Sequence, residues 1–272
     1  NVPVFIFNKT TFDKAGIEIP TSWEELEAAG PAMQKALGDT YYPLSTLMPY
    51  DLFYEYTYEA TGTPIFDEDG NFNWTKEDIL VGLNEYQKLI DNNVIPSTEQ
   101  APDEMTQGDP QWIDGEWAGA ITWSGSVTSW QDSLQEGDEI VVVPTLSMEG
   151  AKSSGKVIKP AMSYAIADNC EYKDETADFL NWFVSSEPAT LDLGMTRGMV
   201  DNPDAIKILE ENKMLEGPAY EAYITTKDIE SAPMPLLSGD TNSVILDGLS
   251  NLRYGSKTSD EVADDIYAEF TK

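Results

Sequence analysis

Short apolar runs alternate along this chain with longer segments that carry helix caps and an apolar stripe, and no other feature limits its possible folds so strongly. The opening run Val2-Pro3-Val4-Phe5-Ile6-Phe7 has no charge and no alternation, the pattern of a strand buried on both faces. Residues 118–123, 139–143, 156–159 and 163–167 read as further strands. Between them, Thr21 with Glu24 and Ser22 with Glu25 form two overlapping capping boxes before a helix whose Trp23, Leu26, Met33 and Leu37 share one face. Pro31 lacks an amide hydrogen, so a kink or restart is expected there. Thr75 caps a second helix with a stripe of Ile79, Leu80, Leu83, Tyr86, Leu89 and Ile90. Helices are also expected over 174–185, 203–212, 241–253 and 259–270, the second of these opened by Asn202 and Pro203. Strands interleaved with helices predict an α/β architecture, and 272 residues suffice for one large domain or two lobes.

Composition then narrows the chemistry. The chain has no histidine, which removes the commonest general base and the usual zinc ligand. Cys170 stands alone, so no internal disulfide and no cysteine metal cluster can form, and the expectation is neither metal nor cofactor. Forty-nine acidic against 16 basic residues, a formal charge of -33, repel nucleic acid and anionic lipid and read as a solubilising surface. No apolar run approaches the roughly 18 residues of a membrane helix. Asn1 is not a start residue and a strand follows it at once, so a further segment is expected upstream.

Few local motifs carry chemistry. Asp67-Glu68-Asp69-Gly70-Asn71 places oxygens at alternate positions, but Gly70 is fourth rather than sixth from the first aspartate, which favours a hairpin turn at Asp69-Gly70 over a calcium loop. Glu24 with Glu25 and Asp264 with Asp265 are neighbours on helices and point apart, so neither is a glycosidase pair. More informative is the stretch from Trp112 to Gly125, in which a helix ends at a glycine and an apolar strand finishes at Trp123. Ligands of open α/β sheets sit beyond the carboxyl ends of strands, which makes Trp123, Ser124 and Trp130 candidate ligand contacts, with core packing the alternative for Trp123. Trp112 and Trp117 read as core. Tyr50, beside Asp51 at the mouth of an aromatic helix, offers a ring for stacking and a hydroxyl for bonding, or else packs the helix start.

Taken in order, these pieces resemble the family of extracellular solute-binding proteins that includes the maltose-binding protein. The resemblance rests on Phe5-Ile6-Phe7-Asn8-Lys9, then Phe12 to Ile17, then Pro20-Thr21-Ser22-Trp23-Glu24-Glu25-Leu26. It continues through Trp112 to Ala120, Val143-Pro144-Thr145, Ala177-Asp178-Phe179-Leu180 with Ser185-Ser186-Glu187, and Gly255 to Val262. It implies a type II periplasmic-binding-protein fold of two lobes closing by a hinge, with residues 1–143 and 201–272 in the second lobe and 144–200 an incomplete part of the first. Tyr50 falls where the maltose-binding member stacks an aromatic on sugar. The family's later aromatics fall near Ser124 or Gly125 and near Asn242, so Asp240 and Asn242 are expected to bond hydroxyls instead. Met162 and Arg197 are further cleft-bordering residues on the same resemblance.

The expectation is therefore a non-enzymatic, monomeric receptor for a sugar or oligosaccharide, delivering it to an ABC permease. Its place would be extracellular or periplasmic, with lipid anchoring through the upstream segment. Two rivals differ in class: a carbohydrate-active enzyme working with carboxylates alone, which would turn over a glycoside, and a surface module that binds a partner protein rather than a small solute.

Overall fold

The computed structural model describes residues 1–97, 105–160, 163–196 and 199–272. In chain order the elements are β1 (Pro3–Asn8), α1 (Lys9–Ala15), α2 (Trp23–Leu37), α3 (Pro49–Thr61), α4 (Lys76–Asp91), α5 (Pro110–Ile113), β2 (Gly119–Trp123), α6 (Val127–Asp132) and β3 (Ile140–Val143). They continue with β4 (Val157–Ile158), α7 (Lys173–Ser185), α8 (Glu187–Leu193), α9 (Pro203–Glu211), α10 (Pro218–Thr226), β5 (Ala232–Pro233), α11 (Gly239–Arg253) and α12 (Ser259–Phe270). The architecture is α/β, as the alternation predicts. None of the described helices is long and apolar enough to cross a membrane.

β1 is the middle strand of a three-stranded sheet in the order β2-β1-β3, antiparallel to both neighbours, with Pro3 opposite Trp123 and Phe5 opposite Val143. Every residue of β1 is buried. Successive side chains serve opposite faces: Phe5 and Phe7 join the larger core with Phe12, Trp23 and Leu26, whereas Val4 and Ile6 join a second core with Trp112, Trp117 and Trp130. Burial of those four side chains contributes roughly 1.5–3 kcal/mol each, as an upper bound. β4 and β5 form a separate parallel pair, Val157 with Ala232 and Ile158 with Pro233.

The helices on the larger core are well set by their caps. Ser22 Oγ accepts from the Glu25 amide at 3.1 Å, and Thr75 and Asp78 form a reciprocal capping box. Pro31 does not restart α2, which runs unbroken from Trp23 to Leu37. Pro31 itself is exposed, and neighbouring Gly30 packs so closely that a β-carbon there would lie 2.1 Å from the Asn92 carbonyl oxygen. Contact with the end of α4 thus holds the helix through the missing hydrogen bond.

Two other expectations differ from the structure. Residues 163–167 form no strand, and α1, α6, α8 and α10 arise where no helix was expected, α1 directly after β1 where a turn was expected at Asn8-Lys9. The Asp67–Asn71 loop closes on itself: Phe66 bridges Phe72 in antiparallel fashion, and Asp67 Oδ1 accepts from the amides of Asp69 at 3.0 Å and Asn71 at 2.8 Å.

Around the expected lobe boundary at 201, packing divides as follows. α10 lies against β3 and α6, and α11 and α12 lie against α3 and α4. α9, which begins at Pro203, instead packs on α7 and α8.

Candidate functional site

Because β2 and β3 both run antiparallel to β1, their carboxyl ends share one edge of the sheet with the amino end of β1. Trp123 closes β2 at that edge, and residues 124–126 turn directly into α6. Ser124 is fixed there. Its hydroxyl accepts from the Val2 amide at 3.2 Å and donates to Asn1 Oδ1 at 2.8 Å, and the Gly125 amide donates to the same Asn1 oxygen at 2.8 Å. The Asn1 carbonyl in turn accepts from the Lys159 amide at 3.0 Å, which brings the β4 segment alongside.

A cavity of about 540 Å³ opens at this edge, lined among others by Ser124, Gly125, Lys159, Asp201, Tyr223 and Lys227. Its size suits a small solute of one or a few rings. Lys159 Nζ lies 3.7 Å from the centroid of the Trp123 ring, a close cation–π contact that fixes the ammonium at the strand end.

Tyr50 and Asp51 reach the same neighbourhood from α3. Pro49 starts that helix, and Met48 before it is held in the left-handed region at φ 51°, a local strain that sets where the helix begins. Tyr50 is 8% and Asp51 9% exposed, yet among the described residues the Tyr50 hydroxyl and Asp51 Oδ1 have no hydrogen-bond partner. Burial lifts the Asp51 carboxyl to about 7 and the charge of Glu55 pushes the same way, with Lys159 and Lys156 opposing. Asp51 therefore lies within electrostatic reach of the lysine over Trp123.

Asp51, Glu55 and Glu59 repeat every four residues on α3 and so share one buried face. Lys156, fully buried, sets its Nζ 2.7 Å from Glu55 Oε1 and donates to the Pro3 carbonyl at 3.0 Å. Thr145 Oγ1 also donates to Glu55 Oε1, at 3.2 Å. Burial raises the Glu55 carboxyl, with Lys156 opposing, and lowers the Lys156 ammonium, with Glu55 opposing. Glu59, raised to about 7 chiefly by burial, accepts from Trp23 Nε1 at 2.9 Å. Gly155, at φ +69°, admits this approach: a β-carbon there would meet the Glu55 carbonyl oxygen at 2.6 Å.

Of the expected residues, Ser124 lines the cavity, Trp123 stands under Lys159 beside it, and Asp51 is within electrostatic reach of Lys159, whereas Tyr50 and Asp51 are buried in α3 and are not part of the lining. The structure corrects Trp130, which is 5% exposed and stands edge-on to Trp112 with ring centroids 5.0 Å apart. The turn after β2 rotates that ring into the second core, away from the strand-end opening. Asp240 and Asn242 lie apart from this cavity. Both lie in the first turn of α11 and neither lines the cavity, and Asp240 faces an open groove with Asp247, Lys257 and Asp265. Met162 and Arg197 lie outside the described residues. Sequence reasoning missed Lys159, Lys156 and Lys227. The first two were open to it, because lysines three apart on a strand fall on opposite faces, here one inside and one at the cavity.

The family model for bacterial extracellular solute-binding proteins matches residues 2–190. The chain belongs to that family. Among solved structures, a periplasmic solute-binding protein from Pectobacterium atrosepticum is 27% identical with a TM-score of 0.90, over 99% of this chain and 70% of that one. A periplasmic oligogalacturonide-binding protein from Yersinia enterocolitica, in complex with saturated digalacturonic acid, is 28% identical with a TM-score of 0.90, over 100% of this chain and 70% of that one. A putative binding protein of Brucella abortus is 33% identical over 92 residues, which is 32% of this chain and 22% of its own length. The solute-binding chain thus carries the periplasmic-binding-protein fold over about 70% of the length of those solved relatives.

Proposed function

We propose that this solute-binding family member captures a sugar or oligosaccharide reversibly in the cavity at the carboxyl end of β2 and delivers it to an ABC permease, outside the cell membrane and without chemical change. The observation that carries this reading is the strand-end cavity itself, an aromatic ring beside polar groups at the place where α/β folds present ligands. In its lining Ser124 supplies a hydroxyl and Tyr223 an aromatic surface, and Trp123 stands beside it under Lys159. The saccharide bound by the Yersinia neighbour supports the class of solute. In this reading the cavity is one wall of a cleft between two lobes, the helices α7 to α9 belong to the lobe opposite the sheet, and a covering layer for them comes from the rest of a two-lobe fold. We further propose a monomer in the complete protein, with lipid anchoring at the cell surface.

A thermal-shift screen of the full-length protein against mono- and oligosaccharides, amino acids and polyamines, followed by calorimetry, tests this. The expected outcome is a saturable rise with one class of saccharide, equivalent to about 2.7 kcal/mol at a hundredfold excess over Kd, and a tenfold or greater loss of affinity in Trp123→Ala. Folded protein that responds to no saccharide would overturn the reading.

A further inference from the structure

The cavity differs in charge from the molecule around it. The chain holds three carboxylates for every basic residue, yet the lining carries two lysines, Lys159 and Lys227, against one carboxylate, Asp201. At the surface Lys9, Lys76, Lys88, Lys173, Lys257 and Lys272 pair with carboxylates, while among the described residues Lys14, Lys35, Lys152 and Lys213 form no ion pair, so it is their place in the cavity that sets Lys159 and Lys227 apart. Lys159 and Lys227 form no ion pair among the described residues.

Lys159 is also half withdrawn from water, and its position is fixed from both ends. Its backbone is paired to Asn1, and its ammonium is seated 3.7 Å from the Trp123 ring centroid. An ammonium has three N–H donors, and one aromatic face does not satisfy them. The nearest counter-charge along α3 is Asp51, whose buried carboxyl is itself raised to about 7 and so leaves Lys159 only partly neutralised. Tyr223 offers an aromatic surface with a hydroxyl in the same lining. A neutral sugar would leave the two ammonium groups with Asp201 as the one carboxylate of the lining as the cleft closes and water departs, at a desolvation cost that closure would have to overcome.

We infer that the solute of this cavity is an anionic saccharide, its acidic group held by Lys159 and Lys227 while Trp123 and Tyr223 contact the ring. The inference rests on the sugar reading above and names the charge of that sugar. The surface charge of -33 does not oppose it at close range, because at physiological salt fields from exposed carboxylates decay over about 8 Å. Carboxylate and phosphate are alike in this chemistry, and the probes separate them.

The test is calorimetry on the full-length protein with three probes: a uronic-acid disaccharide, a hexose phosphate and the neutral disaccharide corresponding to the first. Tighter binding of either anion than of the neutral sugar, by tenfold or more and weakening as salt rises, supports the inference, and the preferred probe identifies the acidic group. Lys159→Met keeps an apolar stem over Trp123 and removes the charge. It should weaken the anion by about 10- to 100-fold, the range of one charged hydrogen bond, and weaken the neutral disaccharide by at least tenfold less than the anion. Lys227→Met, at an exposed position, repeats the measurement should Lys159→Met fail to fold. Equal binding of neutral and acidic disaccharides would overturn this inference and leave the sugar reading standing. Binding of no saccharide by folded protein would overturn both.

Discussion

Helices α4 and α7 are alike in sequence and unlike in surroundings. Each opens with acidic residues in its first turn and carries an apolar stripe at helical spacing. α4 buries Ile79, Leu83, Tyr86 and Leu89 against α3 and α12. α7 buries nothing, and Phe179 and Trp182 on it stand 55% and 49% exposed beside a cavity of about 300 Å³ lined by Phe183, Val184 and Leu193. Amphipathicity specifies that a face must be covered, whereas only a second layer determines whether it is. The α3–α4–α12 body has its layers among these residues. The α7–α9 group has one, which is why we assign the other to the rest of the two-lobe fold.

The largest effect is expected at the buried ion pair between α3 and the segment before β4, inside the well-covered region. Lys156→Met should cost about 3–5 kcal/mol in urea unfolding, because it strands Glu55 in the core without its counter-charge. A loss below about 1 kcal/mol would show that the pair is not load-sharing between α3 and the β4 segment. A matched pair of truncations sharpens the comparison directly. Leu83→Ala on α4 should cost about 2–5 kcal/mol, while Phe179→Ala on α7 should change the stability of the 272-residue chain by no more than about 0.5 kcal/mol. In a longer protein with the second layer present, Phe179→Ala should approach the α4 value.

The smallest expected effect is a pH trend confined to the α3 side. Asp51 and Glu59 titrate near 7 in the fold and near 4 when unfolded, so their contribution is full below about pH 4 and lost as pH rises through 7. The melting temperature should therefore fall by a few degrees from pH 5 to pH 8, and Asp51→Asn with Glu59→Gln should flatten that fall. The carboxyls of Glu25, Asp67 and Glu261 are held low by hydrogen bonds and act below this window.

How much of this was legible in the sequence depends on the range of the interaction involved. The helix over 259–270 was expected at the bounds observed, because Thr258 and Glu261 form a capping box within four residues. The strand ending at Trp123 was legible from its local apolar run, and the buried Trp112 and Trp117 from their apolar character. Continuity of α2 through Pro31 depends on a contact between Gly30 and Asn92, and the Glu55–Lys156 pair spans a hundred positions, so no local pattern announces either. The local pattern did place Trp123 at the end of β2 with Ser124 opening the turn after it. Trp130 failed because proximity in sequence does not tell which way a turn rotates a side chain.

The middle position of β1 in its sheet has a consequence for how the protein is made. Both of its partner strands are translated more than a hundred residues later, β2 first and β3 after it. At about 5–20 residues per second, the uncharged segment Val4-Phe5-Ile6-Phe7 leaves the ribosome on the order of ten seconds before β2 and β3, the strands it pairs with here. Folding of this body is therefore non-local and late, and until β2 arrives the segment is a sticky strand that a chaperone or an export channel must shelter.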